Sequence, residues 1–296
     1  IWGIMAIGVY LTYRILDVAD LTVDGSLGTG GAVCVVMVLN GAPVGLALLA
    51  ATAAGMLAGL VTGLFHTACG IPAILAGILT QLALYSVNLR IMGFGTGGGK
   101  ANLPISVDKY GLLVSARYVR NVALNNPILT LAIFCAVLIA VLYWFFGTEL
   151  GCSLRATGAN QNMARAQGIN TNVTKVLGLM ISNGLVALAG GLLAQYQGFS
   201  DINMGRGAIV IGLAAVIIGE VIFSRIFRNF ALKLLSAVIG AIIYYIVMVF
   251  VLRLGLSTDD LKLLTALVVA LFLTIPYWKG KYFTKTSVKK GEKNHA

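Results

Sequence analysis

Nine apolar runs recur along the 296 residues of this chain, at 1–16, 26–41, 43–65, 71–93, 127–147, 172–197, 207–222, 229–252 and 261–278. Most approach the roughly 20 residues that carry a helix across a hydrocarbon core. The second and seventh fall short of that length. Lipid satisfies no backbone hydrogen bond, so each run has to pair its own N–H and C=O groups as a helix. The ten-residue alternation of a membrane barrel is absent. Hydrophobic residues make up 59% of the chain and charged ones only 10%, against about 25% charged in soluble domains. The expected fold is all-α: a polytopic helical membrane bundle over 1–278, followed by a basic tail over 279–296. The chain starts inside an apolar run and without Met, so we expect that a few residues precede it.

A net charge of +11 invites comparison with nucleic-acid binders, but the cations are scattered over loop ends and the tail, where Lys279, Lys281, Lys285, Lys289, Lys290 and Lys293 lie. That distribution reports topology. With the tail and 148–171 inside, 13 of the 21 Lys and Arg fall on inner flanks, Arg14, Arg155, Arg165 and Lys175 among them, as the retention of Lys and Arg by cytoplasmic loops requires. The tail then lies near anionic lipid. Cys34, Cys69, Cys135 and Cys152 show no metal-ligand spacing and read as free thiols.

Residues 148–171 form a polar island between long apolar runs. Asn160 suits a helix N-cap, Gln161–Gln167 give about two turns, and Gly168 suits the left-handed residue that ends a helix. The spacing predicts a short helix outside the bilayer. A smooth face of Ala164, Ala166 and Gly168 with Arg165 beside it fits docking into a cleft on another protein, and an ordinary cytoplasmic loop is the alternative.

The first connection carries Asp17, Asp20 and Asp24, followed by Gly25, Ser26, Gly28, Gly30 and Gly31. It reads either as a plain interfacial loop or as a broken helix shaped by Asp20 or Asp24 along a water-lined route. Gly55, Gly59 and Gly63 draw a smooth packing stripe down the third run. Gln81, Tyr85 and Asn88 share one face of the fourth, with Thr80 beside them and Arg90 near the end. Ser182, Asn183 and Gln195 punctuate the sixth, either bonded to a neighbouring helix or lining a path. Glu220 is placed at the cytoplasmic interface with Arg225 and Arg228 as partners, and Ser257 with Asp260 resembles a capping box opening the last run. Gly93–Ala101 has the look of a phosphate loop but fails its register, because Phe94 and Ala101 stand where Gly and Ser or Thr are needed beside Gly99–Lys100. We read it as a flexible outer loop and expect no ATP site in this chain.

Four stretches together resemble the permease subunits of bacterial ABC importers of the branched-chain amino acid and ribose type. They are Ile15–Ser26, Ile71–Thr80, Leu154–Gly158 continued by Asn160, Ala164, Gly168, Ile169 and Asn170, and Gly207–Glu220. The Asp20–Ser26 sequence and the Asn88–Gly93 ending are similar to the branch associated with tryptophan- or tyrosine-binding lipoproteins. This resemblance implies eight to ten membrane helices in a type II importer-like bundle in the bacterial cytoplasmic membrane. It also implies a permease homodimer, two ATPase subunits inside that bind the ATP, and a binding lipoprotein outside that delivers an amino acid, with an aromatic one suggested by that branch. The coupling residues it suggests are Arg155, Gly158, Asn160, Ala164, Arg165, Gly168 and Ile169. Asp20, Asp24, Gln81, Tyr85, Asn88, Ser182 and Asn183 are the candidates for the translocation path.

An ion-coupled secondary transporter is the competing reading, and it needs ionisable or cation-coordinating groups deep in its spans. Asp20, Asp24 and Glu220 are the main candidates here, and all are placed at interfaces. An intramembrane enzyme is more distant, since His66 and His295 are the only histidines and no nucleophile or metal constellation accompanies them. No cofactor or metal is expected in the chain itself.

Overall fold

The computed structural model describes residues 1–94, 98–106, 110–115, 127–223, 227 and 229–253, with 263, 266–267, 269–271 and 274 in the last apolar run. The elements are α1 (Trp2–Tyr10), a π-helical turn (Leu11–Ile15), α2 (Val23–Leu39), α3 (Val44–Thr67), α4 (Ala73–Met92), β1 (Asn102–Pro104) and α5 (Pro127–Gly147). They continue as α6 (Glu149–Ala159), α7 (Gln161–Ala166), α8 (Thr171–Gln197), β2 (Phe199–Asp201), α9 (Ala208–Phe223) and α10 (Phe230–Arg253). Eight of the nine apolar runs map onto these elements within a few residues. The last run lies mostly outside the described residues, as do the tail, the capping-box pair Ser257 and Asp260, and Arg225 and Arg228. Among the described residues, α3, α4, α5, α8 and α10 are long and apolar enough to cross a membrane, while α2 and α9 are apolar but shorter.

The centre is α8, packed most extensively against α3 and α2. Small residues make those seams close. A side chain at Gly59 would meet the carbonyl of Leu179, one at Gly55 would meet Ala187 and Asn183, and Gly63 lies against Val176. The glycine stripe of α3 therefore faces α8 of its own bundle. The same device recurs where Gly30 of α2 meets Ala187 and Gly190 of α8 meets Leu27. Glycine weakens an isolated helix by about 1 kcal/mol relative to Ala, but here it lets backbones approach closely enough for dispersion to replace the hydrophobic drive that lipid lacks. By contrast α5 is peripheral: Ile128, Ile133, Val137, Val141 and Trp144 are exposed.

Two ends of the bundle are distinct. At one, β1 and β2 pair antiparallel, Asn102 opposite Asp201 and Pro104 opposite Phe199, and Ile105 N–H donates to the Gly198 carbonyl at the end of α8 at 2.8 Å. The pinned stretch begins at the last residue of Gly93–Ala101, the segment read as a flexible loop: the Ala101 carbonyl accepts from Ile202 N–H at 3.0 Å, while 95–97 are outside the described residues. At the other end lie α6 and α7. The shortness of α2 and α9 is explained by where they begin. Residues 16–22 run without helix from the π-helical turn to the side of α8, so that α2 starts beside the middle of that helix, with Ser26 Oγ donating to Asn183 Oδ1 at 2.6 Å. After β2 the turn 202–207 brings the chain to the same place, where α9 starts, and α9 then runs toward the α7 end.

Candidate functional site

The polar island folds as a set of capped helices. Thr148 Oγ1 accepts from Gly151 N–H at the start of α6. Asn160 Oδ1 accepts from the N–H groups of Asn162 and Met163 at 3.0 and 3.1 Å to open α7, and Asn170 Oδ1 accepts from Asn172 and Val173 to open α8. Gly168, at φ +81, closes α7: its N–H donates to Arg165 and the Ile169 N–H reaches back to Ala164, the double bond of a left-handed C-terminal cap. The short helix thus stands where the spacing puts it. Its faces are distributed differently from the expectation. Ala164 is 2% exposed and packs inward, whereas Met163 is 63% exposed, so the outward surface carries Met163, Ala166, Gln167 and Gly168 rather than an alanine stripe. Arg165 Nε donates to Thr171 Oγ1 at 2.8 Å, tying α7 to the first turn of α8.

Arg155 and Gly158 belong elsewhere. Gly158 lies against the Ile15 carbonyl, where any side chain would collide, and the Arg155 guanidinium sits 5.5 Å from the Phe230 ring centre. Both line a cavity of about 480 Å³ at the α7 end, together with Arg14, Glu220 and Lys233. Glu220 pairs there with Arg14 at 2.9 Å. Arg14 is brought to it by the π-helical turn, in which Leu16 N–H donates to Leu11 across five residues. The interfacial position expected for Glu220 fits this, but its partner comes from α1's extension, a distance in sequence that no local pattern reports.

The candidate path residues separate into two groups. Asp20, Ser182 and Asn183 are buried in a closed polar network. Asp20 Oδ1 accepts from Thr22 N–H at 2.9 Å and its Oδ2 from Asn183 Nδ2 at 2.6 Å. Asn183 Nδ2 also donates to Leu179, Ser182 Oγ donates to Gly8, and a chain of hydroxyls joins Thr22, Thr62 and Thr80. These groups are satisfied by one another, which is what makes burial tolerable. They fix the non-helical segment 16–22 against α3, α4 and α8. Gln195 likewise spends its amide on Cys34 Sγ and Leu113 N–H.

Asp24, Gln81, Tyr85 and Asn88, by contrast, come together. With Gly25, Leu82, Ile202 and Arg206 they line a cavity of about 280 Å³ between α2, α4 and the turn before α9. Asp24 is the hinge of this arrangement. It stands in the first turn of α2, and its two carboxylate oxygens accept from Gly207 N–H and Ile209 N–H, both at 2.9 Å, so it also caps α9. The positive ends of two helices therefore share one carboxylate, and Gly205 lies against the Asp24 backbone with no room for a side chain. Arg206 places its guanidinium 6.0 Å from the centre of the Tyr85 ring. Sequence reasoning did not select Arg206 for this site, and its signal was a lone cation between two glycines at the head of an unusually short apolar run. Met163 gave no signal beyond its place on a solvent-side helix.

A family profile described as "Branched-chain amino acid transport system / permease component" matches residues 1–275. Among curated proteins, the chain is 41% identical over 275 residues to the tyrosine transport system permease protein of Clostridioides difficile, covering 92% of this chain and 87% of that one. It is 36% identical over 274 residues to an uncharacterized protein of Rickettsia prowazekii, covering 91% and 92%. It is 29% identical over 219 residues to the autoinducer 2 import system permease protein of Salmonella typhimurium, covering 74% and 59%. No solved structure matches significantly.

Proposed function

The chain belongs to the family of branched-chain amino acid transport system permease components, and from that premise we propose that it is the membrane subunit of an ATP-driven importer for an amino acid, an aromatic one by its likeness to the tyrosine permease. The solute is handed over at the sheet end by an extracytoplasmic binding protein, passes the cavity at the α2–α9 junction, and leaves through the cavity at the α7 end. A second copy completes the route, and a separate ATPase that binds the ATP docks on α7. The observation that carries this reading is the meeting of two short helices at Asp24 beside a cavity. Discontinuous helices whose ends converge within the bundle are how transporters present polar groups to solute without exposing bare backbone to lipid.

The ion-coupled alternative is disfavoured by the same geometry. Asp20 is engaged by Thr22 and Asn183, Asp24 by Gly207 and Ile209, and Glu220 by Arg14, which leaves no buried carboxylate among the described residues open to a coupling cation. The test is uptake by proteoliposomes that hold the permease, the ATPase and internal ATP, with the binding protein outside. Uptake of l-tyrosine is expected to require ATP and to persist when proton and sodium gradients are collapsed. The permease purified alone is expected to turn over no ATP. Uptake that tracks a sodium or proton gradient without ATP would refute the proposal, as would ATP turnover by the permease alone.

A further inference from the structure

We infer that the cavity between α2, α4 and the 202–206 turn is a binding site for a free α-amino acid within the permease itself, Arg206 receiving the carboxylate and Asn88 Oδ1 the ammonium group. The inference rests on the permease reading and adds to it a station at which the membrane subunit recognises its solute. Two unmet demands in one cavity carry it.

The first demand is an unneutralised cation. Among the described residues the only ion pair joins Arg14 to Glu220. Asp24, a wall of the same cavity, has both oxygens committed to the N–H groups at the head of α9, and Asp201, the nearest acid in the sequence, accepts from Asn203 N–H at 2.7 Å and forms no ion pair among the described residues. The Arg206 guanidinium lies over the face of Tyr85. At 6.0 Å from the ring centre this is a cation–π contact, which commits none of the guanidinium N–H groups and leaves the fork that grips a carboxylate through two parallel bonds.

The second demand is a buried acceptor. Asn88 is 2% exposed and lines the cavity, yet its Oδ1 has no hydrogen-bond partner. A carbonyl oxygen left so is costly, and an ammonium group is a donor that meets it. The Gln81 amide adds a further polar contact on the same wall of α4, one turn from Tyr85. A cavity of about 280 Å³ falls just below the roughly 300–1,000 Å³ typical of small-molecule sites, which suits one amino acid and excludes an oligosaccharide. A cation and an acceptor lining one cavity, with an aromatic ring on the same wall, match a zwitterion carrying an apolar side chain. The cavity at the α7 end, whose Glu220 already has a cation, makes no such pair of demands.

The experiment measures binding of radiolabelled l-tyrosine to the permease–ATPase complex in nanodiscs without binding protein. Competitors are tyramine, which lacks the carboxylate, and 4-hydroxyphenylpropionate, which lacks the amine. The wild type is expected to bind tyrosine saturably and to prefer it at least tenfold over either analogue. Arg206→Gln is expected to lose the preference over tyramine, with Arg206→Lys retaining part of it, and Asn88→Leu to lose the preference over 4-hydroxyphenylpropionate. Arg206 is exposed, so its variants leave packing intact and keep the result interpretable if the Asn88 variant fails to assemble. Absence of saturable binding, or an Arg206→Gln complex that still discriminates against tyramine, overturns the inference. If the wild-type system nevertheless takes up tyrosine with ATP, the permease reading stands without it, whereas a wild-type system with no ATP-dependent uptake removes both.

Discussion

Asp24→Ala is expected to reduce uptake at least tenfold while the protein still reaches the membrane. The carboxylate holds the first N–H groups of α9 from the first turn of α2, so its removal leaves two donors unmet where lipid and packed side chains offer little replacement. Hydrogen bonds to a charged acceptor are worth about 1.5–3 kcal/mol each, and every 1.4 kcal/mol is about a tenfold change in a population. The loss falls on the relative placement of α2 and α9, not on the α3–α8 seam, so membrane insertion should survive it. Asp24→Asn, which keeps the shape but offers one acceptor where two are needed, should fall between. The measurement is initial uptake in proteoliposomes normalised to permease recovered by size exclusion. Uptake by Asp24→Ala within twofold of wild type, at equal yield, would show that the junction has no part in transport.

Met163→Asp should leave the membrane bundle intact and weaken capture of the ATPase by about tenfold to a hundredfold. Met163 stands on α7 with most of its surface in solvent, and burying such a side chain in a partner's cleft is worth about 1.5–3 kcal/mol. An exposed thioether on a short, firmly capped helix is a contact that a partner can shape itself around. Ala164→Trp should behave otherwise. Ala164 packs inward beneath the cap formed with Ile169, so a large side chain there disturbs the α7 fold before it reaches any partner. Co-purification of the ATPase with each variant, compared with the yield of the permease, separates the two effects. Wild-type retention of the ATPase by Met163→Asp would move the docking surface off α7.

The contrast between these two residues marks how far the sequence could be read. Apolar length reports a span directly, since a helix in lipid must close its own hydrogen bonds, and so α3, α4, α5, α8 and α10 stand where their runs lie. Local caps are equally legible: Asn160 and Gly168 act within three or four residues of themselves. The face of a two-turn helix is not, because which side turns inward depends on the angle at which α6 delivers it, and Ala164 was accordingly assigned to the wrong side. The path residues show the same division. Helical spacing joins Gln81, Tyr85 and Asn88, which do share a cavity, whereas Asp20 enters as a residue shaping a broken helix and Asn183 either as a path residue or as a bond to a neighbouring helix. Those two instead meet each other across the chain, as Arg14 meets Glu220. No periodicity encodes such long-range pairings, and the shortness of the second and seventh runs was their only trace.

Whether solute passes the α2–α9 junction is decided by the reactivity of position 81. Gln81→Cys is placed in a permease whose native cysteines, Cys34, Cys69, Cys135 and Cys152, have been replaced. The variant is assembled with the ATPase and binding protein in nanodiscs and treated with a charged methanethiosulfonate, with ATP and vanadate or with neither. Leu75→Cys on the same helix, 48% exposed on its outer surface, is the control. The cysteine at 81 is expected to react several-fold faster in one nucleotide state than in the other and to be protected by l-tyrosine, while the one at 75 responds to neither. Equal and slow reaction at 81 and 75 in both states, unchanged by tyrosine, would place the route outside this cavity.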